Sequence, residues 1–217
     1  MTDKEQKQEA NTEDLIGQLC GELEPVSKCC PYKNMLLWLS LSVLYIVGII
    51  YYLGVSVNLE TYLQSASFLF EMGIVISILV TSAIASSFLS FPDAVQKGWV
   101  KVVALTLFSC FLLWIFANVV EEGFDMSVFQ IGSCYRGMII EVIPFIALIL
   151  LTIKGKSTQP YWLMTMNVFA VSALGWIGLR LTCSMYDSMI YGFVHYLLPF
   201  TILGAAVGFF ARKIFKW

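Results

Sequence analysis

Charge is what this chain has least of. Of its 217 residues, 13% are charged and 59% are hydrophobic, against roughly 25% charged in ordinary soluble proteins. A soluble globule cannot cover its surface with so little, so a chain of this kind calls for a bilayer as its solvent. Basic patches are missing too, which excludes nucleic acid as a partner. There is one histidine, His195, too few for a hydrolytic triad. No Cys-x-x-Cys pair is present, and no internal repeat or low-complexity tract. The chain also lacks the opening of a secretory leader. Its first apolar run begins near Met35, after a long polar stretch, and continues through Tyr51 and Tyr52 without a small-residue cleavage site. That run reads as a retained membrane helix.

What is present is six long apolar runs, approximately 35–53, 65–89, 99–120, 138–153, 161–179 and 189–210. A spanning helix needs about 20 such residues. The expected fold is therefore an all-α membrane protein: a transmembrane domain over 35–217 behind a segment, 1–34. The fourth run is the shortest and holds Pro144, which kinks a helix unless neighbours satisfy the freed carbonyl. Basic residues set the orientation. Eleven of the 13 fall on one side, among them Lys4, Lys28, Lys97, Lys101, Lys154, Lys156, Arg212 and Lys213; only Arg136 and Arg180 fall on the other. Both termini are expected in the cytoplasm, with the first, third and fifth loops outward and the chain in a bacterial inner membrane.

The N-terminal segment is acidic, holding seven of the 15 acids. A short helix is predicted over 12–24, with Asn11 as N-cap and Leu15, Ile16, Leu19 and Leu23 on one face. Pro25 closes it. A helix this short is marginal alone. It is either a tail folded against the membrane or its own loops, or a stripe that lies in a partner's groove.

Of six cysteines, Cys20, Cys29 and Cys30 fall in the reducing compartment at a spacing unlike that of a zinc site. Cys110 reads as a packing residue within the third run. Cys134 and Cys183 fall in the third and fifth loops, both outward, where the surroundings are oxidising. They are a loop-to-loop disulfide, two separate thiols, or a sensory pair. Glu71 and Glu141 lie inside apolar runs near their outward ends. Such acids are functional candidates, although an ion pair with Arg136 or Arg180, or snorkelling to water, is the plainer account. Cys134, Cys183, Glu71, Glu141 and Asp187 are together weak candidates for a transient metal ion at the outer face; no resident cofactor is expected. His195 reads as a hydrogen bonder between helices. Trp38, Tyr51, Tyr52, Trp99, Tyr161, Trp162, Tyr191 and Trp217 form an interfacial belt. Gly204 and Gly208 make a GxxxG pair, for packing within the bundle or for a dimer.

In order, these features resemble the NrsF-type membrane anti-sigma factors, six-helix proteins that restrain an extracytoplasmic-function (ECF) sigma factor. The resemblance rests on Asp14-Leu15-Ile16, Leu19, Leu23 and Pro25-Val26, then Cys134, Pro144, Pro160, Gly175 and Cys183. It closes with Gly204, Gly208, Arg212-Lys213 and Trp217. Two stretches depart from the family's pattern: Ser184-Met185-Tyr186 after the second cysteine, and residues 161–164, which hold no glycine. The resemblance implies a non-enzymatic regulator. Leu15, Ile16, Leu19, Leu23, Pro25 and Val26 would contact the sigma factor, and Cys134 and Cys183 would match the family's outward pair, linked to metal or oxidative stress. Two other readings stand beside it: a small transporter using Glu71 and Glu141, and a membrane thiol-redox protein.

Overall fold

A computed structural model of the chain describes residues 31–90, 98–122, 135–153, 157–182 and 189–211, with the backbone alone at 31, 122 and 135–141. All belong to one unit, Pro31–Trp217. The described residues are almost wholly helical, without strands: α1 (Pro31–Leu53), α2 (Leu59–Leu63), α3 (Ala66–Leu89), α4 (Trp99–Glu122), α5 (Tyr135–Ile153) and α6 (Pro160–Thr182), then α7 (Met189–Phe209). Five of them, α1, α3, α4, α6 and α7, are long and apolar enough to cross a membrane. The other long helix, α5, runs for 19 residues through Pro144, and its apolar part counted among the described side chains, Val142–Ile153, is shorter than a span.

The helices form because nothing in these runs competes with helical hydrogen bonding in an apolar solvent. Serine and threonine hydroxyls, which compete in water, here donate back to the preceding turn: Ser42 Oγ to the Trp38 carbonyl at 2.9 Å and Thr152 Oγ1 to that of Leu148 at 2.9 Å. The outward surface is strongly apolar, with Leu44, Leu113, Phe116 and Ile202 all more than half exposed. Such an exterior suits hydrocarbon.

α6 is the axis of the bundle and touches every other long helix. Each residue from Met166 to Leu179 is buried. α1 is the opposite case: Trp38 and Ser42, one turn apart, are its only buried residues among the described side chains. Trp38, expected at the interface, is 2% exposed and belongs to the core; Tyr51, Tyr52 and Trp99 do face outward. Cys110 is also corrected. It is exposed on α4 and fills no interior gap.

Two local features were not expected from the runs. Gly54, at φ 84°, ends α1 and donates its N–H to the Ile50 carbonyl at 2.9 Å, a glycine cap that a residue with a Cβ adopts only under strain. It lets the chain turn into the short helix α2. Within α7, residues Phe193–Leu197 form one widened π turn. It lies just before Pro199, which has no N–H to offer the turn behind it, so the widening takes up a helix irregularity that proline imposes.

The GxxxG question is answered at Gly204, which packs within the chain. A Cβ there would overlap the Val168 side chain, whereas one at Gly208 would meet only Met164 Cγ at 3.9 Å. Gly204 thus lets α7 close directly onto α6.

Candidate functional site

α3 and α6 run antiparallel, and a polar cluster joins them near each end. The first is charged. Glu71, one turn into α3, is fully buried. Its Oε1 accepts hydrogen bonds from Trp176 Nε1 at 2.6 Å and Arg180 Nε at 2.9 Å. Its Oε2 accepts one from an Arg180 guanidinium nitrogen at 2.7 Å. Trp176 and Arg180 sit one helical turn apart on α6, so both donors reach the same carboxylate from one face. The paired arrangement on arginine is the strong, two-pronged form of a charge-assisted hydrogen bond.

Neighbours complete the cluster. The Arg180 guanidinium carbon lies 5.7 Å from the Phe68 ring centre and 6.0 Å from that of Tyr62, within the range of cation–π attraction. Tyr62 and Phe68 stack on each other at 5.7 Å. Tyr62 is the contribution of α2, which explains what that short helix does. The α1–α2 linker is tied down as well: Ser56 N–H donates to the Leu181 carbonyl at 2.9 Å, satisfying one of the acceptors left open in the last turn of α6. Trp176 extends the cluster to two further helices. Its ring meets Phe111 of α4 edge to face at 5.1 Å. Gly192 of α7 lies so close that a Cβ there would come within 2.9 Å of the indole. One carboxylate therefore stands at the centre of side chains from α2, α3, α4 and α6, with the backbone of α7 packed against them at Gly192.

The second cluster is neutral. Asn167, fully buried on α6, accepts from Ser86 Oγ of α3 and donates Nδ2 to Thr152 Oγ1 of α5 at 3.3 Å. Beyond it, Ser157 Oγ donates to the Leu89 carbonyl at 2.6 Å. Lys101 Nζ donates to Gln159 Oε1 at 3.1 Å and stands 5.1 Å from the Trp162 ring centre. The polar groups of these two clusters thus reach fixed partners, as burial requires.

Glu71 is the one acid of the sequence-derived set whose side chain the structure describes. It is paired with Arg180, one of the two arginines expected to meet it. Cys134, Cys183 and Asp187 lie outside the described residues, as do the side chains of Glu141 and Arg136, the helix predicted over 12–24 and the contact residues Leu15, Ile16, Leu19, Leu23, Pro25 and Val26. Among the described residues no group of three or more metal-binding side chains forms. His195 sits in the π turn of α7 with its ring 4.0 Å from that of Tyr191. Trp176 and Asn167 were not singled out from sequence. The signal available was a lone amide and an indole inside an apolar run, both of which need a partner when buried.

The chemistry of the site is that of positioning. Both oxygens of the carboxylate are engaged by fixed donors. Two grooves among the described residues, about 390 Å³ between α6 and α7 and about 640 Å³ between α4 and α7, have no ionisable carboxylate or amine in their walls. A family model described as NrsF, negative regulator of sigma F, matches residues 19–217. No curated protein and no solved structure matches the chain.

Proposed function

The chain belongs to the NrsF family of negative regulators of sigma F, and from that premise we propose that it is a membrane anti-sigma factor for an ECF sigma factor. The segment 1–34 holds the sigma factor in the cytoplasm, away from core RNA polymerase, through Leu15, Ile16, Leu19, Leu23, Pro25 and Val26. Behind it, α1, α3, α4, α5, α6 and α7 cross the bacterial inner membrane, with α5 as the remaining span. Cys134 and Cys183 face outward and respond to metal or oxidative stress. The match over 19–217 carries this reading. The apolar exterior and the weight of lysine and arginine on one side of the runs support its placement in the membrane. The pairing of Glu71 with Arg180 favours a regulator over an ion-coupled transporter, whose acidic groups sit near the bilayer midplane and must exchange partners.

The test is co-purification. Full-length protein and a version lacking residues 1–33 are each expressed with the ECF sigma factors of the same genome in turn, starting with any encoded beside it. The full-length protein is expected to retain one of them and the shortened protein to lose it; equal recovery from both removes the proposal. In intact cells, a thiol reagent that does not cross the inner membrane is expected to label Cys134 and Cys183 after mild reduction. Changing both to serine is expected to abolish release under metal or oxidant stress while leaving the sigma factor bound.

A further inference from the structure

The reading above leaves open how an event in an outward loop reaches the far side of the bundle. The next step rests on that reading. Thr182 is the last residue of α6, and Cys183 follows it directly. Within the final turn before that point α6 is held in two ways: Arg180 is paired to Glu71, and Leu181 accepts the hydrogen bond of Ser56. The pair is asymmetric. Glu71 is 0% exposed and Arg180 is 11% exposed, so the arginine is the member that can be drawn away from the edge. Doing so strands a carboxylate in an apolar core, which is costly, so partial opening is disfavoured and the pair is either made or replaced. That is the behaviour of a two-state element rather than of a soft contact.

The consequences of opening are also fixed by the geometry. Trp176 shares Oε1 of Glu71 with Arg180 and is wedged between Phe111 of α4 and Gly192 of α7. A shift of the carboxylate or of α6 is therefore felt by both helices. We propose that the Glu71–Arg180 pair is a latch. Closed, it holds the end of α6 and the α1–α2 linker on α3 in the state that retains the sigma factor. Opened by a stimulus acting beyond Thr182, it releases the end of α6 and lets Trp176 leave its seat between α4 and α7. The stimulus needs only to favour the open arrangement over the closed one.

The experiment compares wild type, Glu71→Gln and Arg180→Lys as full-length proteins in bilayer discs of phosphatidylethanolamine and phosphatidylglycerol, under reducing conditions. Glutamine keeps an acceptor for Trp176 and removes the charge. Lysine keeps the charge and loses the two-pronged fit, so it decides the matter if Glu71→Gln does not accumulate. Two quantities are read: the rate of maleimide labelling of Cys183, resolved by peptide mass spectrometry, and the fraction of sigma factor retained. In the variants, labelling is expected to rise at least about fivefold and retention to fall by a similar factor, with helix content unchanged and Arg180→Lys intermediate. Unchanged labelling in both variants overturns the latch. Faster labelling with unchanged retention overturns its link to release. If wild type retains no sigma factor, the anti-sigma reading fails, while the labelling rates still judge the latch.

Discussion

The two ends of the α3–α6 seam solve the same problem with different chemistry. At one end Glu71 meets a guanidinium and an indole N–H; at the other Asn167 meets two hydroxyl-bearing side chains, Ser86 and Thr152. Both ends are buried, and both satisfy their polar groups. The difference is what happens when a partner is taken away. An amide left alone loses a modest hydrogen bond. A carboxylate left alone is an uncompensated charge, for which burial is expensive. The charged end is therefore specific and breaks abruptly, whereas the neutral end is tolerant.

Substitutions can put that contrast to the test. The largest effect is expected for Arg180→Ala, which leaves Glu71 buried without its cation and should cost about 3–5 kcal/mol, read from unfolding in mixed micelles titrated with a denaturing detergent. Replacing both members, Glu71→Leu with Arg180→Leu, is expected to recover most of that loss, since apolar pairs of similar size often substitute for buried ion pairs with little cost. A double variant as unstable as the single one would show that the charge is not what the seam depends on. Next comes the fit of shapes beside the neutral end. Gly204→Ala places a methyl group against Val168 and should cost about 1–3 kcal/mol as overpacking; adding Val168→Ala should return part of it. The smallest effect is expected for Asn167→Ala, at roughly 1 kcal/mol, the usual scale of a hydrogen bond between membrane helices. If Asn167→Ala proved as damaging as Arg180→Ala, the distinction between the two ends would be lost.

Much of the architecture was legible from the runs. The boundaries of 65–89 and 99–120 differ from α3 and α4 by only a residue or two, because the length of an apolar stretch is fixed by the solvent it must cross. What the runs could not reveal is which helix lies at the centre. In a water-soluble bundle the apolar stripe names the buried face, but here both faces are apolar. The clue that does exist is inverted: α6, the most buried, is the least apolar of the five long spans, since Asn167 and Arg180 find their partners inside. Trp38 reads as part of the interfacial belt, because tryptophan near a run end usually sits there, yet it packs in the core. The pairing of Glu71 was half legible, since two arginines were expected at its level. Trp176 was not, because an aromatic residue inside an apolar run carries no mark of the acid its N–H reaches. The turn at Gly54 and the widened turn before Pro199 are local backbone effects that hydropathy does not register.

The separation of Glu71 and Arg180 along the chain, 109 positions, bears on biogenesis. Ribosomes deliver α3 long before α6, so the acid enters the lipid phase while its counter-ion is still untranslated. Until the fifth of these long helices threads in, the half-built bundle lacks the guanidinium that Glu71 meets in the finished one. Integration of α3 and α6 is thus a coupled pair of events, and a chain truncated before α6 should be a substrate for membrane quality control rather than a smaller stable bundle.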